Sequence, residues 1–144
     1  HHCMRLIGAG QRCLELACQR VEDRETFGKK LSQHQSIREN IAKSYAELEM
    51  ARLLVHKTCW HIEHHGVQPS IELISATKIS VPLMIQAIID RCMQMHGAGG
   101  LTEDWCMAEQ FNYARWCRQA DGPDEVHQMA LGKRIIQQYA DAQA

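Results

Sequence analysis

The densest polar cluster in the chain is Asp121-Gly122-Pro123-Asp124-Glu125-Val126-His127. Acids in the first turn of a helix follow from the helix dipole alone, which accounts for Asp124 and Glu125. Asp121 is different. A carboxylate beside a flexible glycine, ahead of a proline-started helix, is placed to face a ligand and to act as a general base. A second cluster, Arg24-Glu25-Thr26-Phe27-Gly28-Lys29-Lys30, puts a fixed cation, an aromatic face and backbone N–H groups in one loop. Those groups can hold a pyrophosphate and stack a base, and a plain solvated basic loop has the same composition. Gly97-Ala98-Gly99-Gly100 would let a phosphate approach the backbone, but it lacks the third glycine of Gly-x-Gly-x-x-Gly and follows a helix instead of a strand. Taken alone it reads as a helix terminator.

His61 and His65 lie one helical turn apart, with Cys59, Glu63 and His64 close by, as metal ligands would. Histidines in a last turn are also favoured by the helix dipole, so a polar helix end is the stronger reading and no metal is expected. A di-iron bundle needs Glu-x-x-His on two helices, and the chain has no such tetrapeptide.

These groups need elements to position them. The 144 residues are 45% apolar and 23% charged, enough for one core of ordinary size. Sixteen Lys plus Arg against 17 Asp plus Glu leave a net charge of −1, which argues against nucleic acid as a partner. Seven cysteines with no Cys-x-x-Cys suggest neither a disulfide framework nor a cysteine zinc site. The most apolar stretch, Leu73 to Ile89, contains Lys78, Pro82 and Gln86 within 17 residues, so a buried helix is expected and no membrane span. The chain carries no basic and apolar leader and starts directly on a helical pattern, as a piece of a longer subunit would.

Helical spacing runs throughout. Cys3, Ile7, Gly10, Leu14, Ala17 and Val21 line one face of a first helix ending near Arg24. Ser36-x-x-Glu39 has the form of a capping box for a second helix. Ile41, Leu48, Val55 and Ile62 repeat along it every seven residues, with Tyr45 and Cys59 between them, up to Gly66 and Pro69. Ser70 is placed to cap a third helix, apolar almost all round, which should be the most enclosed and bend at Pro82. A fourth spans about Met107 to Gln119. A fifth, shorter one starts with Pro123 at its first position and carries Val126, Met129, Ile136 and Tyr139. The expected architecture is all-α over residues 1–144, an antiparallel four-helix bundle with an additional short helix and no strand alternation.

In their joint order, these motifs resemble the C-terminal helical domain of the flavin-dependent acyl-CoA dehydrogenases. Arg24-Glu25-Thr26-Phe27-Gly28-Lys29 with His34-Gln35 is similar to that family's Arg-x-x-Phe-Gly segment and following glutamine. Gln94-Met95-His96-Gly97-Ala98-Gly99-Gly100 resembles its Gln-x-x-Gly-Gly-x-Gly turn, and Asp121-Gly122 stands where the family usually has Glu-Gly-Thr. Ala120 to His127 and the opening His1-His2-Cys3-Met4-Arg5 are most similar to family members ten and eleven and their bacterial relatives.

The resemblance implies α,β-dehydrogenation of an acyl-CoA with FAD as cofactor and Asp121 as the base. It implies Gly122 at the substrate thioester. It implies Arg24, Phe27, Gln35, Gln94, Gly97, Ala98, Pro123 and Glu125 as FAD contacts, the adenosine diphosphate part belonging to a neighbouring subunit. A homo-oligomer, dimer or tetramer, would follow, as would an electron-acceptor flavoprotein partner. The location would be cytoplasmic in a bacterium and mitochondrial or peroxisomal in a eukaryote. Three departures from the family pattern stand out. Asp121 reaches about 1.5 Å less than a glutamate, Pro123 lacks the hydroxyl of the family's threonine, and Asn112-Tyr113 replaces an Arg-Asp pair. The alternative reading is a helical oligomerisation or interaction bundle without catalytic activity.

Overall fold

The computed structural model describes residues 1–143 and is all-α apart from one minimal hairpin. Its helices are α1 (His2–Asp23), α2 (Gln35–His65), α3 (Ile71–His96), α4 (Met107–Cys117) and α5 (Asp124–Asp141). Between α1 and α2 the strands β1 (Glu25–Thr26) and β2 (Lys29–Lys30) pair antiparallel around Phe27-Gly28, a hairpin too short to show as alternation. The short helix is α4, with 11 residues, while α5 has 18, which corrects the expectation of a short fifth helix.

The α1 stripe is buried as its spacing requires, joined by Leu6 and Cys13. Gly10 lies at its centre because a β-carbon there would come within 3.1 Å of Ile85 Cδ1, so α1 and α3 approach closely. On α2 the buried line is Ser44, Leu48, Ala51, Val55 and Thr58, whereas Tyr45 and Cys59 face solvent. Small polar residues occupy the core side because they have partners there: Thr58 Oγ1 lies 2.7 Å from Thr77 Oγ1, and Arg91 Nε donates to Ser44 Oγ at 2.9 Å. These two links run from late α2 to early α3 and from early α2 to late α3, so the pair is antiparallel.

The capping box does not form. Helix α2 begins two residues earlier, with His34 instead of Ser36 at the N-cap, and Glu39 accepts from Gln35 Nε2 at 2.7 Å. Ser70 occupies the N-cap of α3, but its hydroxyl donates back to Gly66 O and makes no cap bond. Pro123 is likewise the N-cap of α5, one position ahead of the expected first turn.

Helix α3 packs against every other helix and carries the central residues Val81, Ile85, Ile88, Ile89 and Cys92. The stretch Gln68–Leu101 is long and apolar enough to cross a membrane by length and composition, with a mean hydropathy of 1.4. In this fold it is the hub, and its buried Lys78 donates to Cys117 O at 2.6 Å, a cation at the C-terminal end of α4 where the helix dipole favours it. Helix α5 meets the hub at both of its ends, and in its last turn Gln138 Nε2 donates to Glu72 Oε1 of α3 at 2.6 Å. Among its described residues only Asp124 is buried, and Val126, Met129, Ile136 and Tyr139 are exposed.

Candidate active site

Asp121 sits in the turn between α4 and α5 with φ 55, followed by Gly122 at φ 99. Aspartate is one of the few residues that tolerates this left-handed region, and glycine is the natural choice beside it. A β-carbon on Gly122 would also approach His127 Nε2 to 3.0 Å. The turn lies beside a mostly apolar cavity of about 520 Å³ formed by the start of α1, the second half of α2 and the start of α3. Met4, Val55, Ile62 and Ile74 contribute its apolar wall and Asp121, His2 and His127 a polar end, with Glu63 and Lys78 also in its lining. Dry walls with a carboxylate at one end suit an elongated apolar ligand with a polar group beside the acid.

Four residues that the sequence reading did not assign hold this end together. Asp124, expected only to decorate a helix start, is 5% exposed and accepts from Arg118 Nε at 2.7 Å. Its backbone N–H donates to Arg118 O at 3.1 Å, so side chain and main chain both close the loop that presents Asp121. His2 Nε2 lies 3.2 Å from Asp121 Oδ2, and His127 Nε2 lies 3.1 Å from the Asp121 carbonyl oxygen. The opposite charges of Arg118 and Asp124, six residues apart across a Gly-Pro turn, were the one local signal of this arrangement.

At the other end of α1 a second groove, about 470 Å³, gathers Arg24, Gln94, Gly97 and Ala98, together with Arg20 and His96. Among the described residues Arg20 Nε is buried without a hydrogen-bond partner, and so is His96 Nε2. His96 Nδ1 faces Cys92 O at 2.8 Å and the ring packs edge-on to Trp105. Burial pushes its pKa below the ordinary imidazole value, with the Arg20 charge adding to the effect. Phe27 stands at the hairpin tip, 97% exposed and outside the groove wall. Gln35 is also exposed and occupied with Glu39. Pro123 and Glu125 are exposed at the Asp121 end, not at the groove.

The histidines at the end of α2 have organic partners. His61 Nδ1 lies 2.8 Å from Ser70 Oγ, and His64 Nδ1 faces Trp60 O at 2.8 Å with its ring stacked on the indole. Among the described residues no cluster of three metal-ligating side chains occurs.

Residues 1–136 match the family model described as acyl-CoA dehydrogenase, C-terminal domain. The chain is 42% identical over 133 residues to acyl-CoA dehydrogenase family member 11 of Gallus gallus, which covers 92% of this chain and 17% of that protein. To family member 10 of Mus musculus it is 45% identical over 133 residues, covering 92% of this chain and 12% of that protein. Among solved structures, one of an acyl-CoA dehydrogenase from Mycobacterium abscessus superimposes with a TM-score of 0.94 at 40% identity, over 96% of this chain and 34% of that one. A glutaryl-CoA dehydrogenase from Mycobacterium smegmatis in complex with FADH2 gives 0.87 at 27% identity, over 93% and 34%. The chain therefore spans about a third or less of each of these relatives. With the family model matched across nearly its whole length, this chain belongs to the acyl-CoA dehydrogenase family, as its C-terminal helical domain.

Proposed function

We propose that this domain is part of a flavin-dependent acyl-CoA dehydrogenase subunit acting in fatty acid oxidation, in which Asp121 removes the α proton of the acyl thioester. The observation that carries this reading is the carboxylate at the polar end of a cavity whose remaining walls are largely apolar. The α proton of a thioester is only weakly acidic, so the base has to be held against it and the charge developing on the thioester oxygen has to meet a donor. Asp121 takes the proton, and the freed electron pair moves towards the thioester carbonyl. Gly122, lacking a side chain, lets the thioester approach the backbone. FAD, when bound, supplies the acceptor for the hydride that leaves the β carbon.

The groove at the far end of α1 fits the diphosphate of that cofactor. Arg24 offers a fixed cation, Arg20 Nε is a buried donor with no partner among the described residues, and Gln94, Gly97 and Ala98 form the adjoining wall. Phe27 and Gln35 would complete the adenosine side, and Pro123 and Glu125 the flavin side. Helix α1 separates the groove from Asp121 by about 30 Å, at 1.5 Å per residue, a longer span than one extended dinucleotide covers. A single flavin thus draws its base from one subunit and its adenosine diphosphate contacts from another, so a homo-oligomer, dimer or tetramer, is part of the site. A second flavoprotein is the fitting electron acceptor.

Anaerobic bleaching of the bound flavin by acyl-CoA tests the assignment of the base. In the full-length enzyme Asp121→Asn keeps the side-chain shape and tolerates the same backbone conformation, but the amide cannot take the proton. Bleaching at saturating substrate is expected to slow at least about 100-fold with flavin content intact. Near-normal bleaching would show that the base is another residue.

A further inference from the structure

We propose that His2 is the positioning residue of Asp121, holding one carboxylate oxygen so that the other faces the substrate, a role that rests on Asp121 being the base. Asp121 needs such a holder. Its side chain is 77% exposed and sits in a turn, and a free aspartate there would spread over several rotamers. His2 comes from a different element, α1, and its own ring is fixed. It packs edge-on to Trp116, with ring centroids 5.3 Å apart, and its Nδ1 lies 3.2 Å from the Tyr113 hydroxyl.

Hydrogen-bond chemistry gives this chain of groups a direction. A carboxylate only accepts, so the proton between His2 and Asp121 belongs to His2 Nε2. In the neutral ring Nδ1 is then the acceptor, and Tyr113 must donate to it. Burial pushes the Tyr113 phenol above its usual value, so it remains a protonated donor wherever the enzyme works. The relay Tyr113 to His2 to Asp121 Oδ2 therefore occupies one oxygen and leaves Oδ1 to receive the α proton. His127 fixes the backbone end of the same residue by donating to its carbonyl oxygen, with its Nδ1 3.4 Å from Ser75 Oγ.

A hydrogen bond to an exposed carboxylate adds little to folding stability. The effect of losing His2 should thus appear in the chemical step, where a misplaced base costs on the order of tenfold or more. The test uses the full-length holoenzyme, with rates expressed per bound flavin. His2→Ala is expected to slow anaerobic bleaching at saturating acyl-CoA about tenfold while the half-saturating substrate concentration stays within about twofold. His2→Gln, whose amide can still donate, should recover most of the rate. In the Asp121→Asn background, His2→Ala should cause no further loss, because the group it acts through is gone. A wild-type rate for His2→Ala beside an inactive Asp121→Asn would overturn the role of His2 and leave the base in place. Equal slowing by His2→Ala in both backgrounds would mark a structural role and overturn it too. A fast Asp121→Asn enzyme would remove the base reading on which the role depends.

Discussion

The two ends of α1 are built on opposite plans. At the Asp121 end most polar groups satisfy one another: His2 meets the carboxylate, His127 the carbonyl, and Arg118 closes the loop through Asp124 Oδ2, while Asp124 Oδ1 is buried without a partner among the described residues. At the groove end the polar groups are left open, with Arg20 Nε and His96 Nε2 buried and unpartnered and Arg24, Gln94, Gly97 and Ala98 exposed. A group that must sit within bonding distance of a reacting carbon is best held by its own chain. A site for a large charged ligand is instead completed by the ligand, since a buried polar atom without a partner costs about 1–3 kcal/mol until something binds it.

The difference can be broken in graded steps. The largest effect is expected from Arg118→Ala, which leaves the Asp124 carboxylate buried without its cation. Denaturant unfolding should show a loss of about 3–5 kcal/mol, whereas retention of wild-type stability would mean that the loop does not depend on this pair. At the other end Arg24→Ala would remove the charge-assisted bond to phosphate proposed for it, worth roughly 1.5 kcal/mol or more, so FAD affinity in the full-length enzyme should fall about tenfold. Equilibrium dialysis or flavin fluorescence measures it.

The groove should also respond to pH through His96. Its folded pKa lies below the ordinary imidazole value, so in the window between the two the unfolded chain binds more protons than the folded one. Stability is full above about pH 6.5 and declines as the pH falls through that window to the lowered value. Unfolding of wild type and His96→Leu compared at pH 7.5 and 5.5 should show a smaller acid loss in the variant. The smallest effect belongs to Ser36→Ala, expected within about 0.5 kcal/mol. A true capping box would lose about 1 kcal/mol.

That last case shows where sequence and structure part. The α1 stripe was legible because six residues at helical spacing share one environment. The start of α2 was not, because the helix starts two residues earlier, at Gln35, which takes Glu39 for itself. On α2, residue type misled: Tyr45 and Cys59 are apolar but exposed, while Ser44 and Thr58 are polar but buried against partners on α3. Helix α5 has an apolar line in sequence that the chain does not cover. Asp121, Gly122, Arg24, Gln94 and Gly97 stand out as candidates because their motifs are contiguous. His2 and Tyr113 could not, since they meet Asp121 only after α1 and α4 have packed beside the α4–α5 turn.

The claim that base and diphosphate contacts serve one flavin from different subunits is tested most directly by mixing two defective chains. Full-length Asp121→Asn and Arg24→Ala subunits, carrying different tags, are co-expressed, and the hybrid oligomer is isolated and assayed without added FAD. Each parent oligomer is impaired at every site. In the hybrid, an intact Asp121 can pair with an intact Arg24 across the interface, so acyl-CoA dehydrogenation should rise well above both parents. A hybrid no more active than the mean of its parents would place both groups at the same flavin within one subunit and contradict the two-ended account.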